Sequence, residues 1–316
     1  MDFRTPISRT FIALSSILLF SGGTVSARSW TDVQGRTIEA EFVSFDAAGA
    51  KVKVRLANGN EPLIDLAKLS EADRTWITDH LRQQEERLSE LRKNAGKTVS
   101  MKSEGPQAVG YHVYYPTSFD PSKPPAMIIM FSPGGDGKGM LGSVRAACEE
   151  LGWIGVGCDE FKNGVDSSLL DPKWAEVLPA IEKTVLHDPD LLYMGGLSGG
   201  ALRSYDYSEL TVRPWKGVLA FGGWLGRKQA LGSPAKMAVA RVNGDKDTSA
   251  NAWIEAEDGI FRKARANVKD FPFPGGHVVA PPEVILEAMR WLKEATVPGN
   301  RLPDGKRNEM QFDKDK

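Results

Sequence analysis

The chain is poor in cysteine and histidine and carries no surplus of either charge. Cys148 and Cys158 are its two cysteines in 316 residues, and they do not form a C-x-x-C pair. Neither H-E-x-x-H nor any other metal-ligand spacing occurs, so no metal or other cofactor is expected. Lys and Arg (40) nearly balance Asp and Glu (41), for a net charge of −1. Such a balance gives no general attraction to nucleic acid or to an anionic membrane. No basic cluster interleaved with aromatics appears, and no apolar run reaches the ~20 residues a spanning helix needs. What remains is an ordinary globular composition, 41% hydrophobic and 26% charged, long enough for one large domain and one small one.

The N-terminus is built differently. Arg4 and Arg9 precede the apolar run "FIALSSILLF", and small residues then lead to "TVSA". Basic, apolar and small-residue segments in that order read as an export signal over residues 1–27, cut after Ala27. The run is too short for an anchor, and no Cys follows it to carry a lipid. The mature protein is therefore expected outside the cytoplasm, in the periplasm or beyond. An oxidising compartment would permit a Cys148–Cys158 disulfide. Two buried thiols, one on a helix pattern and one on the next strand, are the favoured reading.

After the cut, "TIEAEFVSF" and "KVKVRLA" alternate apolar and polar residues as half-buried strands do. The turn clusters "DAAGA" and "ANGN" separate them, and "EPLIDLAKL" is a third short run. Ser70 followed by Asp73 resembles a capping box, opening a charged helix that reaches about Gly96. Residues 28–78 thus read as a small β-barrel-like module and residues 79–97 as a solvated connector. Without sustained heptads a coiled coil is disfavoured. "WTD", "IEAEF" and "IDLAKLSEAD" in this module resemble the small SH3-like homology domain of an endocytic adaptor and of many exported bacterial proteins. That likeness implies a peptide or cell-envelope partner, with no site residue assigned.

From "YHVYYPTSF" onward, apolar runs alternate with helix patterns. "AMIIMFS", "WIGVGC", "LLYMGG", "KGVLAFGG" and "AKMAVARVNG" read as buried strands, so residues 98–297 are expected to form a parallel sheet with helices on both faces. The polar stretch 298–316 is expected to be a disordered tail.

One Gly-x-Ser-x-Gly occurs, Gly196 to Gly200 around Ser198. Chance alone supplies roughly 0.2 such motifs in so glycine-rich a chain, so context must carry it. The context fits a nucleophile elbow, because a strand ("LLYM") precedes Ser198 and a helix ("ALRSYDYSEL") follows. A serine hydroxyl needs a base. Of His80, His112, His187 and His277, only His277 follows Ser198, on the Gly-rich "PFPGGHVV" before the final helix. The acid that orients it should follow the strand "MAVARVNG". Asp245 and Asp247 both stand there, and the spacing favours Asp247.

Residues 108–297 resemble the α/β-hydrolase superfamily, especially exported esterases related to polyhydroxybutyrate depolymerase and feruloyl esterase. The matching stretches include "MIIMFSPGGDG", "LLYMGGLSGGA", "NGDKDTS" and "GGHVVAPPEVILEAMRWL". The resemblance implies Ser198 as nucleophile, Asp247 as acid and His277 as base. It implies oxyanion donors at the N–H of Gly199 and of Gly134 or Gly135. Relatives often carry His-Gly before that turn, where this chain has Ser132-Pro133; proline has no N–H, so the donor must lie beyond it. The expected function is a secreted serine ester hydrolase acting on a small-molecule or polymeric ester through an acyl-enzyme. A serine peptidase of the same fold and a binding protein with a relic triad are the alternatives.

Overall fold

A computed structural model describes residues 27–211, 213–226, 237–264 and 266–296. The export segment expected over residues 1–27 and the tail expected over 298–316 thus fall almost wholly outside the described residues. The chain divides into two compact units, residues 1–90 and 91–316.

In the first unit, β1 (Arg28–Thr31), β2 (Thr37–Asp46), β3 (Lys51–Leu56) and β4 (Leu63–Asp65) form one antiparallel sheet in that order. Alternation decides which side is buried. Ala40 and Phe42 from β2 and Val52 and Val54 from β3 join Trp30, Leu69 and Ile77 in a small core. A short 3₁₀ turn, Leu66–Lys68, leads to α1 (Glu71–Arg92), which runs unbroken to Arg92. Its cap is half of the expected box. The Asp73 N–H donates to Ser70 Oγ at 3.1 Å, but the Asp73 carboxylate turns inward. There it accepts from the Thr31 N–H (2.7 Å) and the Arg28 guanidinium (2.6 Å), as well as from the Ser70 hydroxyl (2.9 Å).

The second unit holds an eight-stranded sheet. Its strands are β5 (Thr98–Lys102), β6 (Gly110–Tyr114), β7 (Met127–Phe131), β8 (Ile154–Cys158), β9 (Leu192–Leu197), β10 (Trp215–Phe221), β11 (Ala238–Val242) and β12 (Asn267–Asp270). They lie in the order β12-β11-β10-β9-β7-β8-β6-β5. The sheet is mostly parallel, as the apolar runs suggest. At one edge it departs from that expectation: β5 pairs antiparallel with β6, and β6 antiparallel with β8. The half-exposed β5 and β12 lack the continuous apolar runs of central strands, so the sequence pattern passes over them.

Helices cover both faces. On one side α3 (Ser167–Thr184), α4 (Gly199–Leu210) and α6 (Ile254–Ala264) contribute Trp174, Ala201, Tyr205 and Phe261 to a core that includes Ile129 and Phe131. On the other, α2 (Gly137–Leu151) and α7 (Pro282–Ala295) add Leu141, Val144, Met289 and Leu292 to Ile128 and Met130. Alternate residues of β7 therefore feed opposite cores. Helix α3 begins at Ser167, and the Asp166 carboxylate caps it through the Ser168 N–H at 2.8 Å. Cys148 on α2 and Cys158 on β8 are free, fully buried thiols, and burial pushes Cys148 up to about 12.

Candidate active site

The turn between β9 and α4 is tight because two backbones meet there. A Cβ on Gly196 or Gly200 would run into the carbonyl oxygen of Phe131 at the end of neighbouring β7. Glycine at both positions lets β7 and the start of α4 close up, and Ser198 is left at the apex with φ +54° and ψ −118°. A non-glycine residue in that region stores about 1–3 kcal/mol of strain, which persists only where surrounding packing imposes it. The Ser198 N–H donates to the Phe221 carbonyl at 2.9 Å. Ser198 occupies the N-cap position of α4, yet its side chain makes no capping bond, so its hydroxyl remains free for another role.

The acid and base come from two loops laced together. Beyond β11, the Asp245 N–H donates to the Phe273 carbonyl (2.9 Å) and the Lys246 N–H to that of Gly275 (2.8 Å). Asp245 Oδ1 in turn accepts from the Gly275 N–H at 2.9 Å. Asp247 does something different. Its Oδ2 accepts from His277 Nδ1 at 2.8 Å, while its Oδ1 accepts from the N–H groups of Ser249 and Ala250, both at 3.1 Å, capping α5 (Thr248–Asn251). The Asp247 side chain is 1% exposed and that of His277 37%. Asp247 therefore orients the imidazole, and Asp245 anchors the loop that carries it. With Nδ1–H engaged, Nε2 is the nitrogen left to accept a proton.

Gly222 links this pair to the serine turn. It follows Phe221, the partner of Ser198, has φ +51°, and leaves no room for a side chain. A Cβ there would lie 2.8 Å from Asp247 Oδ2 and 3.1 Å from His277 Nδ1. Trp224 and Trp253, one just past Gly223 and the other just past α5, stack in parallel with centroids 6.2 Å apart.

The other three histidines have local partners. His80 stacks on Trp76 and His187 donates from Nδ1 to the Val185 carbonyl at 2.7 Å; burial pushes both imidazoles down. His112 bridges Ser100 Oγ (2.8 Å) and Asp159 Oδ2 (3.0 Å). This second Ser-His-Asp set lacks an elbow: Ser100 lies within a regular edge strand, and Asp159 also accepts from the Gly137 N–H at 2.9 Å.

A cavity of about 500 Å³ opens beside Gly134 and Gly135, with Lys162, Leu169 and Lys173 in its wall. The two turns at its mouth are joined by Glu160 N–H donating to the Gly135 carbonyl and Asn163 N–H to that of Pro133, both at 2.9 Å. Gly199 is the first residue of α4, so its N–H lies outside the helical ladder. Gly134 and Gly135 are arranged otherwise. The Gly134 N–H donates to Ser132 Oγ (3.2 Å) and the Gly135 N–H to the Ser132 carbonyl (3.1 Å). Asn163 stands on the loop after β8, at the carboxyl ends of parallel strands, where ligand sites of such sheets gather.

The order of these strands, mostly parallel and with a tight turn after β9, fits an α/β-hydrolase fold. Solved structures agree. The chain is similar to an S-formylglutathione hydrolase from Agrobacterium tumefaciens at 12% identity, over 65% of this chain and 97% of that one, with TM-score 0.51. A ferulic acid esterase matches at 15% identity over 64% and 98% of the two chains (TM-score 0.52), and an arylesterase at 11% over 67% and 90% (TM-score 0.50). At such identities the likeness is one of fold. No protein-family model matches the chain, and no curated protein matches it by sequence.

Proposed function

We propose that this protein is a serine ester hydrolase in which Ser198, His277 and Asp247 act together. The observation that carries the reading is the buried Asp247 carboxylate on His277 Nδ1 at 2.8 Å, next to an elbow serine held at φ +54°. Ser198 Oγ attacks the ester carbonyl carbon while His277 Nε2 takes its proton, and the carbonyl π pair moves onto oxygen. Collapse of that oxyanion breaks the C–O bond, and the departing alcohol takes the proton from His277. Water, deprotonated by the same imidazole, then releases the acid and restores the serine. Asp247 keeps the imidazole in the correct tautomer and stabilises its cationic form throughout.

The names of the fold's neighbours, esterases and an S-formylglutathione hydrolase, support this reaction class. The export signal expected over residues 1–27 makes the protein an extracytoplasmic enzyme in this reading, with the first unit an SH3-like module that binds a peptide or envelope partner.

The test is direct. Ser198→Ala should lower turnover of p-nitrophenyl esters by on the order of 10⁴-fold or more with folding unchanged, since members of such a set act as a unit. A fluorophosphonate probe should label Ser198 by mass spectrometry. Near-normal turnover in the variant would remove the assignment.

A further inference from the structure

A tetrahedral oxyanion needs converging donors, set where the charge develops. The Gly199 N–H, free at the start of α4, can supply one. In the turn after β7, residues 133–135 offer none of the usual backbone kind. Pro133 has no N–H, the Gly134 N–H is held by Ser132 Oγ, and the Gly135 N–H is held by the Ser132 carbonyl.

Asn163 stands against Gly199. Its loop is drawn in by the Asn163 N–H on the Pro133 carbonyl, and it reverses at Glu160 (φ +72°) and Gly164 (φ +78°). The side chain packs directly on the Gly199 Cα. A Cβ there would overlap Asn163 Oδ1 and lie 2.7 Å from its Cγ and 3.0 Å from its Nδ2. Gly199 is therefore a glycine because Asn163 fills its side-chain space, and the carboxamide abuts the Cα that is bonded to the donor nitrogen. Oδ1 rests against Gly199, and the NH₂ group has no hydrogen-bond partner among the described residues.

We propose that Asn163 Nδ2 is the second oxyanion donor, completing with the Gly199 N–H a hole built from one side chain and one backbone amide. The inference rests on Ser198 being the nucleophile. It makes Asn163 a catalytic residue, because its amide would touch the reacting oxygen. It also accounts for a proline at position 133, since that position no longer has to donate.

The experiment compares the full-length protein with Asn163→Asp and Asn163→Leu, both near-isosteric and both without the donor. Losing one such donor should lower kcat by on the order of 10²–10³-fold, with KM changed by less than about threefold. A trifluoromethyl ketone, whose hemiketal on Ser198 carries the same oxyanion, should lose affinity in proportion to kcat, and thermal unfolding should stay unchanged because Asn163 is exposed. A structural role would lower the melting temperature without that proportionality. If the parent protein hydrolyses esters and either variant keeps kcat within about threefold, the inference falls and the nucleophile reading stands. If the parent protein neither turns over esters nor takes a fluorophosphonate on Ser198, the reading itself falls, and the inference with it.

Discussion

Asp247 meets His277 Nδ1 at 2.8 Å with its other oxygen fixed by the Ser249 and Ala250 amides, so the carboxylate can neither rotate nor drift from the imidazole. Asp245, two residues earlier, grips only the Gly275 backbone. The two acids should therefore separate in kinetics. Asp247→Asn is expected to cut kcat/KM by about 10⁴-fold, because an amide no longer enforces the imidazole tautomer. Asp245→Asn keeps an oxygen that can accept from the Gly275 N–H and should cost no more than about tenfold. Steady-state kinetics on one soluble ester decides it, and a larger loss at Asp245 would reverse the assignment.

Gly222 is expected to tolerate no side chain. In Gly222→Ala the new methyl would meet the Asp247–His277 hydrogen bond, and φ +51° would add strain. Displacing the imidazole by even a fraction of an ångström should lower kcat by roughly 10²-fold while circular dichroism stays the same. Wild-type turnover in this variant would mean that the acid–base pair is not held against Gly222 as described.

Glu257 should make the fold lose stability as pH rises from about 4.5 to about 7. Arg241, 3% exposed on β11, meets Asp270 at 2.6 Å and Asp258 at 2.7 Å, but Glu257 only at 3.7 Å. Burial pushes the Glu257 carboxyl up to about 7, although it accepts from the Leu225 N–H. An unfolded glutamate titrates near 4.5, so the folded state holds the proton more tightly. That stabilisation is complete below about pH 4.5 and is lost as pH rises through about 7, a change of up to about 3 kcal/mol. Glu257→Gln, still able to accept from Leu225, should flatten this slope. Thermal unfolding from pH 4.5 to 8 should show the variant gaining on the parent as pH rises. Parallel curves would exclude the effect.

None of the residues proposed for catalysis lies before Ser132. A chain beginning at Leu91, where the second unit starts, retains the apolar contacts of Leu91, Ala95 and Val99 with the main core. It should fold and keep kcat on a small soluble ester within about twofold, since a separately cored unit contributes nothing to bond breaking. A large fall in kcat would give the first unit a part in the reaction.

The geometry of the candidate site was largely legible in the sequence because it depends on local turns and chain order. Gly196 and Gly200 around Ser198, between a strand pattern and a helix pattern, specify an elbow, and His277 is the only histidine beyond it. The buried strands β7 to β11 announce themselves as continuous apolar runs for the same reason: their environment is uniform along each strand. Three matters were decided only by the tertiary structure. Asp245 and Asp247 share one turn, and the direction of each side chain gives one the backbone of Gly275 and the other the ring of His277. The edge strands β5 and β12 are defined by their neighbours' hydrogen bonds more than by their own residues. Asn163 meets Gly199 across two loops, a contact between distant segments that no periodicity or spacing records. Local rules act on neighbours in the chain; the contacts that arm this site arise only when the sheet brings its loops together.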